Sequence, residues 1–238
     1  MRQLSRSSEL DYVFSVEDKL NYYENLRDSS GKISSRWNIP KHRDKLKPIL
    51  SEMSHRECAF CGAKIGNKDF DIEHFLPKER FPYLSYCVDN YLPACKKCNQ
   101  SLKRVFFPVS LEPIRELLAD KVLIGKIVGI IPYEPSEILP TVLDRIIEPT
   151  YDIIEEHLHF NPDTTCYIAI TEIGENTNEM FFNHSEVVSK LQRLSTQVFK
   201  MINEGSTKDT ILGWGELYGH SFYIEQLYNY WSDIIDKN

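Results

Sequence analysis

Two Cys-x2-Cys pairs constrain this chain more than any other feature of its sequence. The pairs are Cys58/Cys61 and Cys95/Cys98, with 33 residues between them. Four thiolates at this spacing satisfy the tetrahedral coordination of zinc, at Zn–S distances of about 2.3 Å. Because cysteine fills all four ligand positions, we predict a structural zinc that acts as a peripheral clamp. Two redox dithiols, or chance clustering, would explain neither the repeated spacing nor the glycine that follows the first pair.

The composition excludes several classes of protein. The chain has 238 residues, of which 42% are hydrophobic and 26% charged, as in an ordinary globular protein. It has no apolar run of about 18 residues, so no membrane span is expected. The first residues lead into polar sequence rather than an apolar core, so no secretory signal is expected. The expected location is the cytoplasm, where paired cysteines more often bind metal than form disulfides.

Charge is distributed unevenly along the chain. The net charge is −7, yet residues 55–107 carry nine Lys or Arg against six Asp or Glu. Binding of nucleic acid depends on cationic side chains that displace counterions. A locally basic segment on an acidic chain therefore suggests that another subunit supplies part of the surface that binds nucleic acid.

Hydrophobic periodicity and capping residues predict the main elements. Helices are expected at 15–28 with Ser15 as N-cap, at 40–54 from Pro40, at 185–204 and at 215–236. Alternation predicts a strand over 164–173, and the apolar run 122–133 is expected to be a strand or a buried segment.

The segment between and after the cysteine pairs carries residues suited to catalysis. Asp71-Ile72-Glu73-His74-Phe75-Leu76-Pro77 follows the first pair, Asn90 precedes the second, and Asn99 and Lys103 follow it. A carboxylate beside a histidine, then an asparagine, then a polar ligand after the last cysteine, is the order of a β-hairpin followed by a helix that together hold a metal.

In this order the sequence resembles the HNH endonuclease family, over about residues 55–107. The resemblance implies an α+β fold: a small ββα-metal core with four-cysteine zinc knuckles, embedded in helical extensions. The corresponding domains are a helical N-terminal extension (1–54), the nuclease core (55–107) and a mixed, mainly helical C-terminal region (108–238).

The family resemblance also implies a role for each matching residue. His74 matches the general base, for which an imidazole with an unperturbed pKa near 6.5 is well suited. Glu73 and Asn99 match the ligands of a catalytic Mg²⁺ or Mn²⁺, Asn90 matches the residue that braces the loop, and Lys103 matches a group near the phosphate or metal. The usual family residues are Asp in place of Glu73 and His in place of Asn99.

Each residue also has a structural interpretation. His74 would then be a structural histidine, Glu73 a solvated or ion-paired carboxylate, Asn99 a helix N-cap and Lys103 a surface lysine. The basic residues Lys96, Lys97 and Arg104 are expected to face nucleic acid, or else to form a solvated face. His157 and His159, near two glutamates, could form a second metal site, although a structural or partner-docking role is favoured.

The wider pattern is similar to the PtuB-like nuclease subunits of Septu and retron-associated anti-phage systems. It includes Glu-His-Phe-Leu-Pro (73–77), a segment at 147–152 and Glu-His-Leu-His-Phe (156–160). This resemblance implies an ABC/SMC-like (PtuA-like) ATPase partner and, in retron systems, a reverse transcriptase with its nucleic acid. The expected function is a metal-dependent endonuclease of DNA or RNA. The alternative is a catalytically weak zinc-knuckle subunit that binds nucleic acid or protein.

Overall fold

The computed structural model describes residues 1–79, 81, 84–106, 139–235 and 237. The predicted strand or buried segment at 122–133 lies outside the described residues. Among those described, no helix combines the length and apolar character that crossing a membrane requires.

Local sequence signals explain where the N-terminal helices begin. Helix α1 (Val16–Glu24) starts after Ser15, whose hydroxyl accepts a hydrogen bond from the Asp18 amide at 3.0 Å while the Asp18 carboxylate accepts one from the Ser15 amide. This reciprocal capping satisfies two amides that lack helical partners. Helix α2 (Pro40–Met53) begins at Pro40, as predicted, because a proline at the first helical position gives up no hydrogen bond.

Two antiparallel hairpins and a set of short helices complete the described fold, which is α+β as predicted. Strands β1 (Asp71–His74) and β2 (Tyr91–Ala94) form one hairpin, and β3 (Leu158–Asn161) and β4 (Cys166–Ala169) form the other. The remaining α- and π-helices, in chain order, are α3 (Lys97–Lys103), α4 (Ile154–His157), α5 (Glu172–Phe181), α6 (Ser185–Asn203), α7 (Lys208–Tyr218) and α8 (Ser221–Ile235). Short 3-10 helices lie at Ser8–Tyr12, Arg36–Asn38, Val88–Asn90 and Leu139–Thr141.

Strands β1 and β2 with helix α3 form the ββα unit around which the candidate site is built. Their register pairs Glu73 with Leu92 and His74 with Tyr91. Side chains alternate between the two faces of a strand, so Asp71 and Glu73 share one face and His74 lies on the other. Helix α3 is a π-helix, in which the Arg104 amide bonds the Asn99 carbonyl at 2.8 Å.

Two of the C-terminal elements differ from their predicted extents. The predicted strand 164–173 ends at Ala169, because Thr171 caps α5 by accepting a hydrogen bond from the Gly174 amide at 3.2 Å. The predicted helix 215–236 is wrong as a single helix: α7 ends and α8 begins around Gly219 and His220, which have φ of 88° and 63°. Positive φ cannot continue an α-helix.

One hydrophobic cluster joins the described parts of the chain. It includes Leu10 and Leu46 from the N-terminal region, Phe60 from the first cysteine knuckle, and Phe181 and Leu227 from the C-terminal helices. The rings of Phe60 and Phe181 stack with centroids 4.6 Å apart. The domain boundaries drawn from the sequence stay a prediction.

Polar contacts also attach the N-terminus to the ββα unit. The Arg6 guanidinium donates to the Tyr91 carbonyl on β2 and forms a salt bridge of 3.0 Å with Glu148. Both Arg145 and Asp152 are buried nearby, and they form a bidentate pair with one contact of 2.6 Å. Buried charges of this kind are tolerated when they are paired.

The backbone conformation between α7 and α8 should require glycine at position 219. A Cβ there would lie 2.4 Å from the Lys64 amide nitrogen, in addition to the strain of a φ of 88°. We expect Gly219→Ala to lower the free energy of unfolding by about 3 kcal/mol in urea denaturation. Gly205→Ala is the matched control, because Gly205 has a φ of 80° and open space around it; its cost should be about 1 kcal/mol. Equal losses of unfolding free energy in Gly219→Ala and Gly205→Ala would show that Lys64 does not exclude a side chain at position 219.

Candidate functional site

The four cysteines of the two pairs converge on one point. Their Sγ atoms all lie within 4.8 Å of one another, and Cys61 and Cys95 are 3.8 Å apart. A tetrahedral zinc with Zn–S bonds of about 2.3 Å requires S–S separations of about 3.8 Å. The four thiols therefore fit one tetrahedral ion such as zinc.

Backbone geometry around the thiols also suits an ion. The Cys95 amide points at the Cys58 sulfur at 3.3 Å, and the Cys98 amide at the Cys95 sulfur at 3.5 Å. Gly62 follows the first pair with a φ of 73°, and its amide closes the knuckle onto the Cys58 carbonyl at 3.0 Å. The glycine noted in the sequence is thus explained by this left-handed turn.

Electrostatics oppose four ionised thiols in the absence of a cation. Burial raises the pKa of the Cys58 thiol well above its usual range, whereas hydrogen bonds from the Cys58 and Cys61 thiols lower the pKa of Cys95. A bound cation would favour the thiolate form at all four positions.

The cluster is partly buried: Cys58 and Cys98 are buried, and Cys61 and Cys95 are half-buried. The peripheral clamp stays a prediction. The knuckle also receives the start of α8: the His220 amide donates to the Gly62 carbonyl at 2.7 Å, and the Ser221 amide donates to the Glu57 carboxylate at 2.7 Å. Sequence spacing alone does not report these long-range contacts.

A cleft of about 260 Å³ opens beside the ββα unit. Four of the predicted site residues line it together: Glu73, His74, Asn99 and Arg104. The other lining residues are Trp37, Ile72, Pro77, Lys78, Glu79, Gln100 and Val105. The cleft thus brings the carboxylate, the imidazole and the amide predicted from the sequence to one place.

His74 is held in one tautomer by its surroundings. Its Nε2 lies 3.1 Å from the Ser85 carbonyl oxygen, and the rings of Trp37 and Tyr91 pack edge-on against it at 4.8 and 4.9 Å. A carbonyl only accepts hydrogen bonds, so Nε2 carries the proton and Nδ1 carries the lone pair. Burial lowers the pKa of His74 to about 3, which corrects the expected value near 6.5. At neutral pH the ring is therefore uncharged, with its lone pair on Nδ1.

Glu73 forms a buried ion pair with Lys103. The lysine ammonium contacts one carboxylate oxygen of Glu73 and donates to the His74 carbonyl at 3.1 Å. Lys103 is only 2% exposed, so its interpretation as a surface lysine is wrong. Burial raises the pKa of Glu73, and the ammonium of Lys103 opposes that rise. A carboxylate at this depth needs such a partner.

Asn99 faces β1 from helix α3. Its amide nitrogen donates to the Asp71 carboxylate at 2.9 Å, and the Gln100 amide donates to the same oxygen at 2.8 Å. Sequence reasoning did not single out Asp71 or Gln100. The signal that could have found Asp71 is strand alternation, because it lies two residues before Glu73 on the same face of β1.

Asn90 makes the contacts that a loop brace requires. Its side chain accepts from the Leu76 amide at 2.8 Å and donates to the Leu76 carbonyl at 3.0 Å and to the Leu84 carbonyl at 3.4 Å. These bonds tie the loop after His74 to the segment that carries Ser85. Asn90 is buried and acts on the cleft only through this loop.

The predicted basic residues lie on the exposed side of α3 and its flanks. Lys96 is 3.4 Å from Asp69, and Lys97 is 2.6 Å from Glu186 on α6. Arg104 is exposed and lines the cleft, with a φ of 49° that ends α3.

His157 and His159 do not assemble a second metal site. His157 ends α4, contacts the Thr171 hydroxyl at 2.8 Å and lies 3.8 Å from the Asp152 carboxylate, while His159 is exposed on β3. Across the part of the chain that the structure describes, the four cysteines form the one group of three or more Cys, His, Asp or Glu arranged to hold a metal.

The chain is similar to three known proteins over parts of its length. It is 41% identical over 56 residues to the Septu protein PtuB of Bacillus thuringiensis, which is 23% of this chain and 22% of that protein. It is 28% identical over 86 residues to the Septu protein PtuB of Bacillus mycoides, covering 30% and 29%. Over these segments the chain is similar to PtuB proteins. The predicted resemblance to PtuB is thereby confirmed.

A third similarity is to Protein ea31 of Escherichia phage lambda, at 37% identity over 73 residues, which is 28% of this chain and 24% of that protein. The matches to the PtuB proteins span less than a third of their lengths. No family model matches the chain, and no solved structure matches it.

Loss of one cysteine ligand should release the ion and destabilise the fold. We expect Cys61→Ser to lose stoichiometric zinc, measured by plasma emission spectrometry, and to lower Tm by about 10 °C because the knuckle anchors α8. Cys166→Ser is the control, since Cys166 lies on β4 outside the cluster. Full zinc content in Cys61→Ser would contradict the four-thiol site.

Removing Lys103 should leave an unpaired buried carboxylate. We expect Lys103→Met to lower the free energy of unfolding by about 3–5 kcal/mol at pH 8. Without the ammonium the pKa of Glu73 rises further, and a protonated carboxyl is less costly to bury. The loss should therefore shrink as the pH falls below that raised pKa.

The matched control for Lys103 is Lys200→Met, which removes an exposed lysine 3.6 Å from Glu204. Lys200→Met should change the free energy of unfolding by no more than about 0.5 kcal/mol. A loss in Lys103→Met that is the same at pH 5 and pH 8 would show that Glu73 is not the group left unpaired.

Proposed function

We propose that this chain is a metal-dependent HNH endonuclease that hydrolyses phosphodiester bonds in DNA or RNA. The observation that carries the proposal is the arrangement of His74, whose Nε2–H is tied to the Ser85 carbonyl in the same cleft that Glu73 and Asn99 line. A scaffold protein has no need for a histidine with a fixed tautomer beside an acidic and an amide oxygen.

In this proposal His74 accepts the proton of the attacking water at Nδ1. The Ser85 carbonyl accepts a hydrogen bond from Nε2–H, which fixes the orientation of the ring and leaves the lone pair on Nδ1. The lowered pKa keeps the ring neutral at neutral pH and also makes it a weaker base than a free imidazole. Asn90 keeps the segment that carries Ser85 close to the loop after His74.

Glu73 and Asn99 would hold the catalytic Mg²⁺ or Mn²⁺. One Glu73 oxygen contacts Lys103, and the second oxygen and the Asn99 carbonyl are hard oxygen donors of the kind these ions prefer. Two protein ligands leave positions for water and phosphate, as is usual for Mg²⁺. The bound ion would stabilise the charge that develops on the phosphate and the leaving 3′-oxygen. The four-cysteine cluster would hold zinc in a purely structural role.

Lys96, Lys97 and Arg104 would contact the phosphate backbone. The two lysines form surface ion pairs with Asp69 and Glu186, and exposed pairs are worth less than about 1 kcal/mol, so phosphates can replace the carboxylates. The chain is acidic overall, with a net charge of −7. Part of the affinity for nucleic acid would then come from a partner.

The similarity to PtuB supports a role in anti-phage defence. We infer that the chain is the effector nuclease of a Septu-type system and that a PtuA-type ATPase controls it. In a retron-associated system, a reverse transcriptase with its nucleic acid would join the complex.

A catalytically weak binding subunit is the second candidate function. The observation that favours it is the Lys103–Glu73 ion pair, which already satisfies one oxygen of the metal-ligand carboxylate and lowers the attraction for a cation. In that case the zinc knuckles would bind nucleic acid or protein without cleavage.

Cleavage assays distinguish the two candidates. With Mg²⁺ or Mn²⁺ we expect wild type to degrade supercoiled plasmid or total cellular RNA, alone or with a PtuA-type ATPase, and His74→Ala to be slower by at least about 100-fold, the loss typical of removing a general base. His159→Ala should keep the wild-type rate, because His159 is an exposed histidine on the other hairpin. No cleavage by zinc-loaded wild type under any of these conditions would favour the binding subunit.

A further inference from the structure

The orientation of the Asn99 amide is decided by its neighbour on β1. An asparagine side chain has one end that donates hydrogen bonds and one that accepts them, and the hydrogen-bond network shows which end points where. The Nδ2 end of Asn99 donates to Asp71 Oδ2 at 2.9 Å. Its carbonyl oxygen therefore points away from Asp71.

Asp71 is unsuited to bind the cation itself through this oxygen. Oδ2 receives amide hydrogens from both Asn99 and Gln100, at 2.9 and 2.8 Å. Two N–H groups that converge on one oxygen fill the directions from which a cation would approach. The same two bonds fix the Asp71 carboxylate against the start of α3.

We propose that Asp71 is a positioning residue that turns the carbonyl oxygen of Asn99 toward the catalytic metal. This inference rests on the proposed function, because it concerns the metal ligand named there. Groups that hydrogen-bond a metal ligand fix its orientation, and their loss typically weakens metal affinity by 10–100-fold. Without Asp71, the Asn99 amide could rotate and present its N–H₂ group, which cannot bind a cation.

The affinity for Mn²⁺ tests this role without any measurement of catalysis. Electron paramagnetic resonance of free Mn²⁺ would be followed in titrations of the zinc-loaded full chain. We expect Asp71→Ala to bind Mn²⁺ at least about tenfold more weakly than wild type. Asp71→Asn keeps an oxygen that can accept from Asn99, so its affinity should stay within about threefold of wild type.

Asp44→Ala is the matched control. It removes an exposed carboxylate on α2 that pairs with Arg43 and does not line the cleft, so it should bind Mn²⁺ like wild type. Zinc content and Tm would be measured for every variant, so that a folding defect is not mistaken for a binding defect.

A change of ligand gives a second, independent test. In an Asn99→Asp background the ligand is a carboxylate, whose two oxygens are equivalent and need no orientation. Adding Asp71→Ala there should not weaken Mn²⁺ binding. A loss in this background as large as in wild type would overturn the positioning role.

The remaining outcomes separate this inference from the proposed function. Wild-type Mn²⁺ affinity in Asp71→Ala would overturn the inference. A loss of affinity in Asp71→Asn as large as that in Asp71→Ala would also overturn it, because the charge of Asp71 and not the orientation of Asn99 would then be responsible. Glu73→Gln keeps an acceptor for Lys103 and tests the metal site itself. If its Mn²⁺ affinity equals that of wild type, the proposed metal site fails, and this inference fails with it.

Discussion

The four-thiol cluster is the constraint on which the rest of the structure depends. It joins the knuckle at 58–61 to the segment at 95–98, and α3 begins inside that second segment. Asn99 directly follows the last cysteine, so fixing the thiols also fixes the face that α3 turns toward β1. The same knuckle binds the residue just before α8, because the His220 amide donates to the Gly62 carbonyl. A single ion bound there would therefore organise both the cleft and the docking of the C-terminal helices.

Buried charge around the cleft is the second organising feature. Lys103 and Glu73 are both withdrawn from water, an arrangement that seldom adds net stability over apolar residues of the same size. The environment of His74 is similarly specialised, since aromatic rings enclose it and one carbonyl sets its tautomer. Buried titratable groups that cost stability are common at sites that require particular protonation states. The pattern agrees with the proposal of a cleft built to move a proton and hold a cation.

How much of this could be predicted from the sequence depends on how local each signal is. The cysteine spacing predicts the cluster, and Ser15 and Pro40 predict the starts of α1 and α2, because capping and coordination act over a few residues. The order of Glu73, His74 and Asn99 places all three at one cleft. The burial of Lys103 and the contact of Asp71 with Asn99 depend on residues distant in sequence. The break between α7 and α8 comes from positive φ at Gly219 and His220, and the approach of Lys64, also distant in sequence, leaves no room for a side chain at position 219.

Anomalous diffraction from crystals of the zinc-loaded protein soaked in Mn²⁺ tests the central claim most directly, because the two metals are distinguished by their absorption edges. The account predicts a zinc peak at the centre of the four cysteine sulfurs and a separate manganese peak in the cleft, in contact with Glu73 and the carbonyl oxygen of Asn99. Manganese bound elsewhere, or no manganese in the cleft while zinc fills the cysteine site, would contradict a metal-dependent nuclease centre at this position.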